Sequence, residues 1–406
     1  MRILHVNATS GGGAFRAMER LHRGLSQASI ESFCLIQNGG SMHGMLTGLG
    51  RFGRRLLPAL DSFPLHLYRG RRHEAFNLQW VPSGLLRHVR ELNPDIVHLH
   101  WAHRTSLRIE ELPLLKRPIV WTMHDLWTFT GGCHYPFDCD RYRTGCGRCP
   151  VLGSNSNIDL SRWVLKRKMA AWKDLPITLI SPSRWLKECA ATSPLTRGKR
   201  LLSIPNGLDL DIFKPFTRES ARQLLGLEPD RPVMLFGAMH VNAAGKGFYL
   251  LGPAVKAAAR RLAPVIPQLL VLGADVPADS LDLGLPVRLL GQLHDDVSLR
   301  LAYCAADVTI VPSTQDNLPQ MAVESLACGT PVAAFNCSGL RDVVDHGVNG
   351  LLANPFEPEA LGACIAEILF CPDPKPMRDA ARLKAETEFS VKIMIERYAE
   401  IYKQLV

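Results

Sequence analysis

The run Asp307–Asn336, DVTIVPSTQDNLPQMAVESLACGTPVAAFN, decides how this chain folds. Val308-Thr-Ile-Val311 is a short apolar, β-branched stretch closed by Pro312, the signature of a buried strand. Asn317 is placed to cap a helix, Pro319 falls in its first turn, and the helix runs to Gly329. Pro331-Val-Ala-Ala-Phe335 follows at once as a second strand. Strand, helix and strand in about thirty residues, with both strands apolar but for the β-branched Thr309, make a parallel βαβ unit covered on both faces. The start of the helix turns free N–H groups toward one spot, a cradle for an anion. Asn317 and Glu324, seven apart, fall near one face, where a carboxylate could accept hydrogen bonds from sugar or ribose hydroxyls. Alone, Glu324 reads equally well as a surface residue of a βα unit.

The same alternation extends in both directions. RILHVN, SFCLIQN, DIVHLHW, PIVWTMHD, ITLISPS and LLSIPNG are candidate strands of the first half; PVMLFGA, QLLVLGAD, VRLLGQL, DVTIVPS and PVAAFN are those of the second. Two such series mean two doubly wound α/β domains. The break falls at PNGLDLDIFKPF, before a fresh helix–strand start at Arg218. The expected domains are residues 1–205, residues 206–375, and C-terminal helices over 376–406 that pack back on the first domain. In the last helix Val391, Ile395, Tyr398, Ile401, Tyr402 and Leu405 form one apolar stripe. Ligands of such folds bind at the carboxyl ends of the strands, here expected in the cleft between the domains.

Composition sets the outer limits. With 406 residues, 47% hydrophobic and 21% charged, the chain suits two globular domains. No apolar run is long enough to span a bilayer. MRILHVN leads straight into chain, as a first strand and not a signal peptide, so a cytoplasmic protein is expected. Residues 1–205 hold 29 Lys and Arg against 14 Asp and Glu, a balance of +15, whereas residues 206–406 balance at −6. The basic half calls for an anionic partner; a zinc-finger helix, an RRM signature and a Lys-rich tail are all missing, so nucleic acid is not expected. Arg51–Arg72, RFGRRLLPALDSFPLHLYRGRR, carries six arginines and one acid among Leu, Phe and Tyr. It is either an amphipathic surface for anionic lipid heads at the inner face of a membrane or a basic connecting segment.

Polar motifs stand at the strand ends. Gly11, Gly12 and Gly13 follow the first strand and open a helix; they can bring backbone amides to an anion or be a plain turn. His124-Asp125 follows PIVWT as a hydrogen-bonding pair with histidine as donor or proton shuttle, or as a structural histidine. Ser183 and Arg184 after ITLIS offer a helix N-cap beside a cation. Gly237 ends PVMLFG, and Gly245-Lys246-Gly247 sets a lysine at a helix start, ready for a phosphate or simply solvated.

Four of the eleven cysteines, Cys133, Cys139, Cys146 and Cys149, lie within seventeen residues of TGGCHYPFDCDRYRTGCGRCP. Cys146-x2-Cys149 has zinc-knuckle spacing, and Cys133 with Cys139, or His134 instead, can complete a tetrahedron. Unliganded thiols and disulfides are the alternatives. A zinc held by four protein ligands would be structural, fixing a long loop beside His124.

The paired Rossmann-like halves with PNGLD, GKG, ADVTIVPS, the Asp316-x7-Glu324 segment, SLACGTPVAAF and HGVNGLLA resemble family 4 retaining glycosyltransferases of GT-B fold. WTMHDLWTFTGGC with the cysteine run resembles the colanic-acid, exopolysaccharide-building subgroup. The resemblance implies transfer of a hexose from a UDP- or GDP-sugar to a polysaccharide or lipid-linked glycan. It places Lys246 on the donor diphosphate and the amides of Asn317, Leu318 and Gln320 by the phosphates or sugar. It further puts Glu324 on the ribose, Asp316 on the transferred sugar, His124 at the reaction centre, and Gly11–Gly13 between donor phosphate and acceptor. Gly237 would border the donor; Asp125 and Arg184 would lie on the acceptor side. Two residues depart from the pattern: Asp316 stands where glutamate is usual, and Ala238 where arginine is common, which leaves Arg184 or another cation to serve the diphosphate. Retention implies front-face attack, with the leaving phosphate taking the acceptor proton and no protein nucleophile. The acidic pairs at Asp138–Asp140 and Asp209–Asp211 are not placed for a catalytic metal, and none is expected. A sugar-nucleotide epimerase and a catalytically weak sugar-nucleotide-binding partner protein are the alternative functions.

Overall fold

The computed structural model describes residues 1–38, 45–47, 53–72, 74–237, 243, 245–273, 283–293 and 295–406. They form two compact units, Met1–Gly207 with Lys392–Val406, and Leu208–Val391.

The first unit is built on a parallel sheet of seven strands: β1 (Arg2–Thr9), β2 (Glu31–Asn38), β3 (Met45–Thr47), β4 (Ile96–Leu99), β5 (Ile119–Thr122), β6 (Ile177–Ser181) and β7 (Arg200–Ser203), in the order β3-β2-β1-β4-β5-β6-β7. The second holds six: β8 (Val233–Gly237), β9 (Gln268–Leu272), β10 (Val287–Gly291), β11 (Val308–Val311), β12 (Val332–Phe335) and β13 (Gly350–Ala353), ordered β10-β9-β8-β11-β12-β13. β4, β5, β6, β11 and β12 are buried at every residue, because helices cover both faces. Edge strands β7 and β10 are largely uncovered, and a register shift between Leu289 and Gly291 breaks β10 as a pairing template. In each sheet the strand order reverses once, between β1 and β4 and between β8 and β11. Loops leaving those pairs open the crevice where doubly wound folds take ligands.

Of the expected C-terminal helices, only residues 392–406 return to the first unit. The helix Lys375–Glu388 stays with the second, because Ala381 and Ala385 are buried in its core and Arg382 donates to the carbonyls of Phe213 and Ala327, both at 2.8 Å. The last helix, Val391–Leu405, buries Met394, Tyr398, Ile401 and Tyr402. It crosses the helix Gly13–Gln27 at Gly24, where Ile395 Cδ1 occupies the place a β-carbon would take.

Candidate active site

In the second unit the candidate residues gather on the loop that follows β11. Gly245 and Gly247 lie across this loop with positive φ. A β-carbon on Gly247 would sit 1.9 Å from the Pro312 carbonyl oxygen, and one on Gly245 2.7 Å from that of Gln315. From the other side Gly339 abuts the Asn317 carbonyl, where a β-carbon would come within 1.5 Å of the oxygen. The backbone amides of Thr314 and Gly339 donate to Gly245 O (2.7 Å) and Asp316 O (2.9 Å), and Asp316 N donates to Ser338 Oγ (3.1 Å). Three glycines thus clamp one loop, and the clamp brings Lys246 Nζ to 2.5 Å from Asp316 Oδ2. Gly237 ends β8 against Leu272. Ala238 lies outside the described residues.

Asn317 is not the helix cap. The helix begins at Gln320 with Pro319 at the N-cap and no side-chain cap, so Asn317 and Glu324 do not share its face. Asn317 and Leu318 are buried in the loop instead. Glu324, 5% exposed, accepts a hydrogen bond from the Tyr303 hydroxyl (2.9 Å), which fixes its carboxylate. Tyr303 gave no signal in sequence, since it sits inside an apolar helix, Asp296–Ala305.

In the first unit the loop after β1 is tied down by Asn7, fully buried, whose Nδ2 donates to Thr9 O (2.7 Å) and whose Oδ1 accepts from Trp101 N (3.0 Å). Gly12 caps the helix Gly13–Gln27 at φ 86°, and nothing lies within 4 Å of a β-carbon on Gly11 or Gly12. That open space at the start of a helix suits an anion. Ser183 caps the helix Arg184–Ala191 through Leu186 N (3.1 Å), leaving Arg184 exposed in its first turn.

His124 and Asp125 do not pair. Asp125, 4% exposed, accepts from His134 Nδ1 (2.6 Å), Trp101 Nε1 (2.8 Å) and Trp127 N (2.9 Å), with His103 Nε2 at 3.5 Å. Burial pushes its carboxyl up, but His134 and His103 outweigh this and hold it well below the usual carboxylate range. His124, half-buried, meets His100 instead, with Nε2 3.2 Å from His100 Nδ1. Burial lowers the His124 pKa to about 4. Behind it stand His5 on β1, His98 on β4 and His100 just past the end of β4. His98 reaches Thr122 Oγ1 (2.8 Å) and the Tyr402 hydroxyl (2.6 Å). The i, i+2 histidines of VHLHW carried the signal for this layer, yet the segment read as a plain apolar strand.

The four cysteines are free thiols. Burial, and their own proximity, push the Cys133 thiol well up; burial pushes Cys146 to about 12. Among the described residues, the trios of possible metal ligands within 4.8 Å are His5–His98–His100 and His103–Asp125–His134; no trio includes these cysteines. The thiols therefore do not fit a four-sulfur zinc site in this arrangement, and His134 is committed to Asp125 and to Asn77 (2.6 Å). The loop is ordered by other means. Asp159 Oδ2 accepts from Cys149 N (2.9 Å), Ser161 Oγ from Gly147 N (2.9 Å), and the fully buried Lys168 donates to the carbonyls of Thr130 (3.0 Å) and Trp127.

Comparison with known proteins agrees with this architecture. Residues 11–212 match the model described as Glycosyltransferase Family 4, and residues 231–370 that of Glycosyl transferases group 1. A D-inositol 3-phosphate glycosyltransferase of Thermobispora bispora is 31% identical over 345 residues, 79% of this chain and 74% of the relative. Its namesake in Xylanimonas cellulosilytica is 34% identical over 232 residues, 50% of this chain and 52% of the relative. The structure of Anabaena Alr3699/HepE in complex with UDP and glucose aligns over 100% of both chains, with a TM-score of 0.68 and 18% identity. Thermosynechococcus elongatus sucrose-phosphate synthase aligns over 100% of this chain and 99% of its own, with a TM-score of 0.70 and 19% identity. Carrying the GT-B fold and matched by such a relative over most of both lengths, the chain belongs to glycosyltransferase family 4.

Proposed function

We propose that this chain is a retaining hexosyltransferase that moves a sugar from UDP- or GDP-sugar to a polysaccharide or lipid-linked glycan. The observation that carries the proposal is the clamped loop Ser313–Leu318 with Lys246 over Asp316, a rigid polar site at the strand-order reversal of the second unit. Lys246 would turn from Asp316 to the diphosphate, freeing Asp316 for the sugar hydroxyls. Amides at the start of the helix Gln320–Ala327 would stabilise the charge that grows on the leaving phosphate. Glu324, held by Tyr303, would take the ribose hydroxyls. His124 and the open Gly11–Gly12 loop would stand at the reacting sugar, with Asp125 as the anchor of the segment carrying His124 and Arg184 as a cation for the phosphates. The leaving phosphate takes the proton of the attacking hydroxyl, so positioning supplies the catalysis. HepE, crystallised with UDP and glucose, supports a nucleotide-sugar donor.

A membrane-borne acceptor is supported by Leu56, Leu60, Phe63 and Leu67, which are 61, 42, 67 and 82% exposed at helical spacing beside the exposed Arg69, Arg71 and Arg72. No helix among the described residues is long and apolar enough to cross a membrane. The anomer of the sugar released by slow donor hydrolysis, followed by NMR before mutarotation, tests the proposal without knowledge of the acceptor. Release of the donor's own anomer supports retention; release of the opposite anomer refutes it.

A further inference from the structure

One row of buried histidines leads inward from His124. On the sheet, β1 pairs with β4 so that His5 lies opposite His98, and His100 follows two residues on along the same face. His5 Nδ1 is 3.1 Å from His100 Nε2, and His100 Nδ1 is 3.2 Å from His124 Nε2. Both inner histidines are almost completely buried, at 0% and 2% exposure. His5 Nε2, at the inner end, is buried without a hydrogen-bond partner among the described residues.

Each link needs one N–H and one lone pair, so a neutral chain has only two arrangements. If protons point inward, His124 donates to His100, His100 to His5, and His5 is left with a buried Nε2–H that bonds to nothing. If they point outward, His5 donates from Nδ1, His100 donates from Nδ1, and only a bare lone pair is left unmatched at His5 Nε2. Orphaned N–H groups are the rarer defect in protein interiors, so the outward arrangement wins. Its consequence appears at the outer end. His124 must accept at Nε2 and therefore carries its proton on Nδ1, the ring nitrogen turned away from the chain.

We propose that His5 and His100 are positioning residues that fix the tautomer of His124, so that its Nδ1–H is presented as a hydrogen-bond donor to a hydroxyl of the bound sugar. The part concerning the sugar rests on the glycosyltransferase function proposed above; the tautomer does not. The side branch holds the row in place, with His98 between Thr122 and Tyr402 and with Thr122 Oγ1 2.6 Å from the Tyr398 hydroxyl. In this way the last helix of the chain braces a residue more than 270 positions earlier. All members are neutral at pH 7.5, since burial lowers His5 to about 3 and His124 to about 4, and lowers His98 and His100 well below the usual range.

The test is long-range proton–nitrogen NMR of the full chain with 15N-labelled histidine at pH 7.5. The expected result is Nδ1–H with bare Nε2 at His5, His100 and His124. An Nε2–H tautomer at any of the three overturns the proposal. His5→Leu, which removes the first donor, is expected to mix the tautomers of His100 and His124; an unchanged His124 would also overturn it, and the wild-type spectrum decides if the variant does not fold. Adding UDP-glucose or GDP-mannose then separates the two claims. A shift confined to His124 Nδ1 supports its role at the sugar, and no shift with the expected tautomers refutes that role while the relay stands. In a folded His5→Leu variant the transfer rate should fall about tenfold, the loss of roughly one well-placed hydrogen bond, with donor affinity within about twofold.

Discussion

Lowering the pH from 7.5 to 5.5 should destabilise the first unit selectively. His5, His98, His100 and His103 are each at most 2% exposed. Burial holds His5 at about 3 and His103 at about 4, and keeps His98 and His100 well below the usual range. The folded state thus leaves His5 and His103 neutral at pH 5.5, while in the unfolded chain each is about nine-tenths protonated. A group with a depressed folded pKa supports the fold above its unfolded value and loses that support as pH falls. For a histidine going from 7.5 to 5.5 the loss is roughly 1–1.5 kcal/mol, so His5 and His103 together forfeit roughly 2–3 kcal/mol, and His98 and His100 act in the same direction. Lys168, also depressed by burial, acts in the same direction, and Asp125 loses its contribution only below the window. For a unit of this size the midpoint should drop by at least roughly 5–10 °C. All seven tryptophans, Trp80, Trp101, Trp121, Trp127, Trp163, Trp172 and Trp185, belong to this unit, so a fluorescence melt reports it alone. A midpoint that moves by less than about 4 °C would refute the burial of neutral histidines.

Other perturbations act on the second unit. Gly247→Ala forces a β-carbon against the Pro312 carbonyl at φ 66° and should cost about 2–4 kcal/mol in circular-dichroism melts, together with donor binding. Lys246→Ala removes a pair whose lysine is 41% exposed, so stability should change by under about 1 kcal/mol while transfer slows roughly a hundred- to a thousandfold in a radiolabel assay. A zinc clasp on Cys133, Cys139, Cys146 and Cys149 would require the thiols to converge. Since they do not converge in this arrangement, metal analysis of freshly purified protein should give well under one zinc per chain; one zinc per chain, abolished by Cys146→Ser, would refute this.

Much of the fold was legible because buried parallel strands announce themselves: VTIV, VAAF and IVWT are apolar but for the β-branched Thr309 and Thr122. β3, only three residues long, left no such trace. The helix Lys375–Glu388 lies with the second unit, and its buried stripe of two alanines, Ala381 and Ala385, says that something is close but not what. In the site, GKG and the Asp316–Glu324 segment stood out by spacing, and the glycines proved to be steric necessities. Sequence could not supply the partners. Asn317 looks like a cap until Pro319 takes that place, and His124 looks paired with its neighbour Asp125 until the bend after β5 turns them to different clusters. Both errors trade a contact near in sequence for one near in space.

The most direct test of a donor site on the clamped loop is isothermal titration of UDP-, GDP- and ADP-sugars into wild type and Glu324→Gln. The expected result is saturable binding of one nucleotide sugar by wild type, with affinity at least about tenfold weaker in the variant, because a ribose-holding charged hydrogen bond is worth roughly 1.5–3 kcal/mol. Binding by neither protein, or equal binding by both, would contradict it.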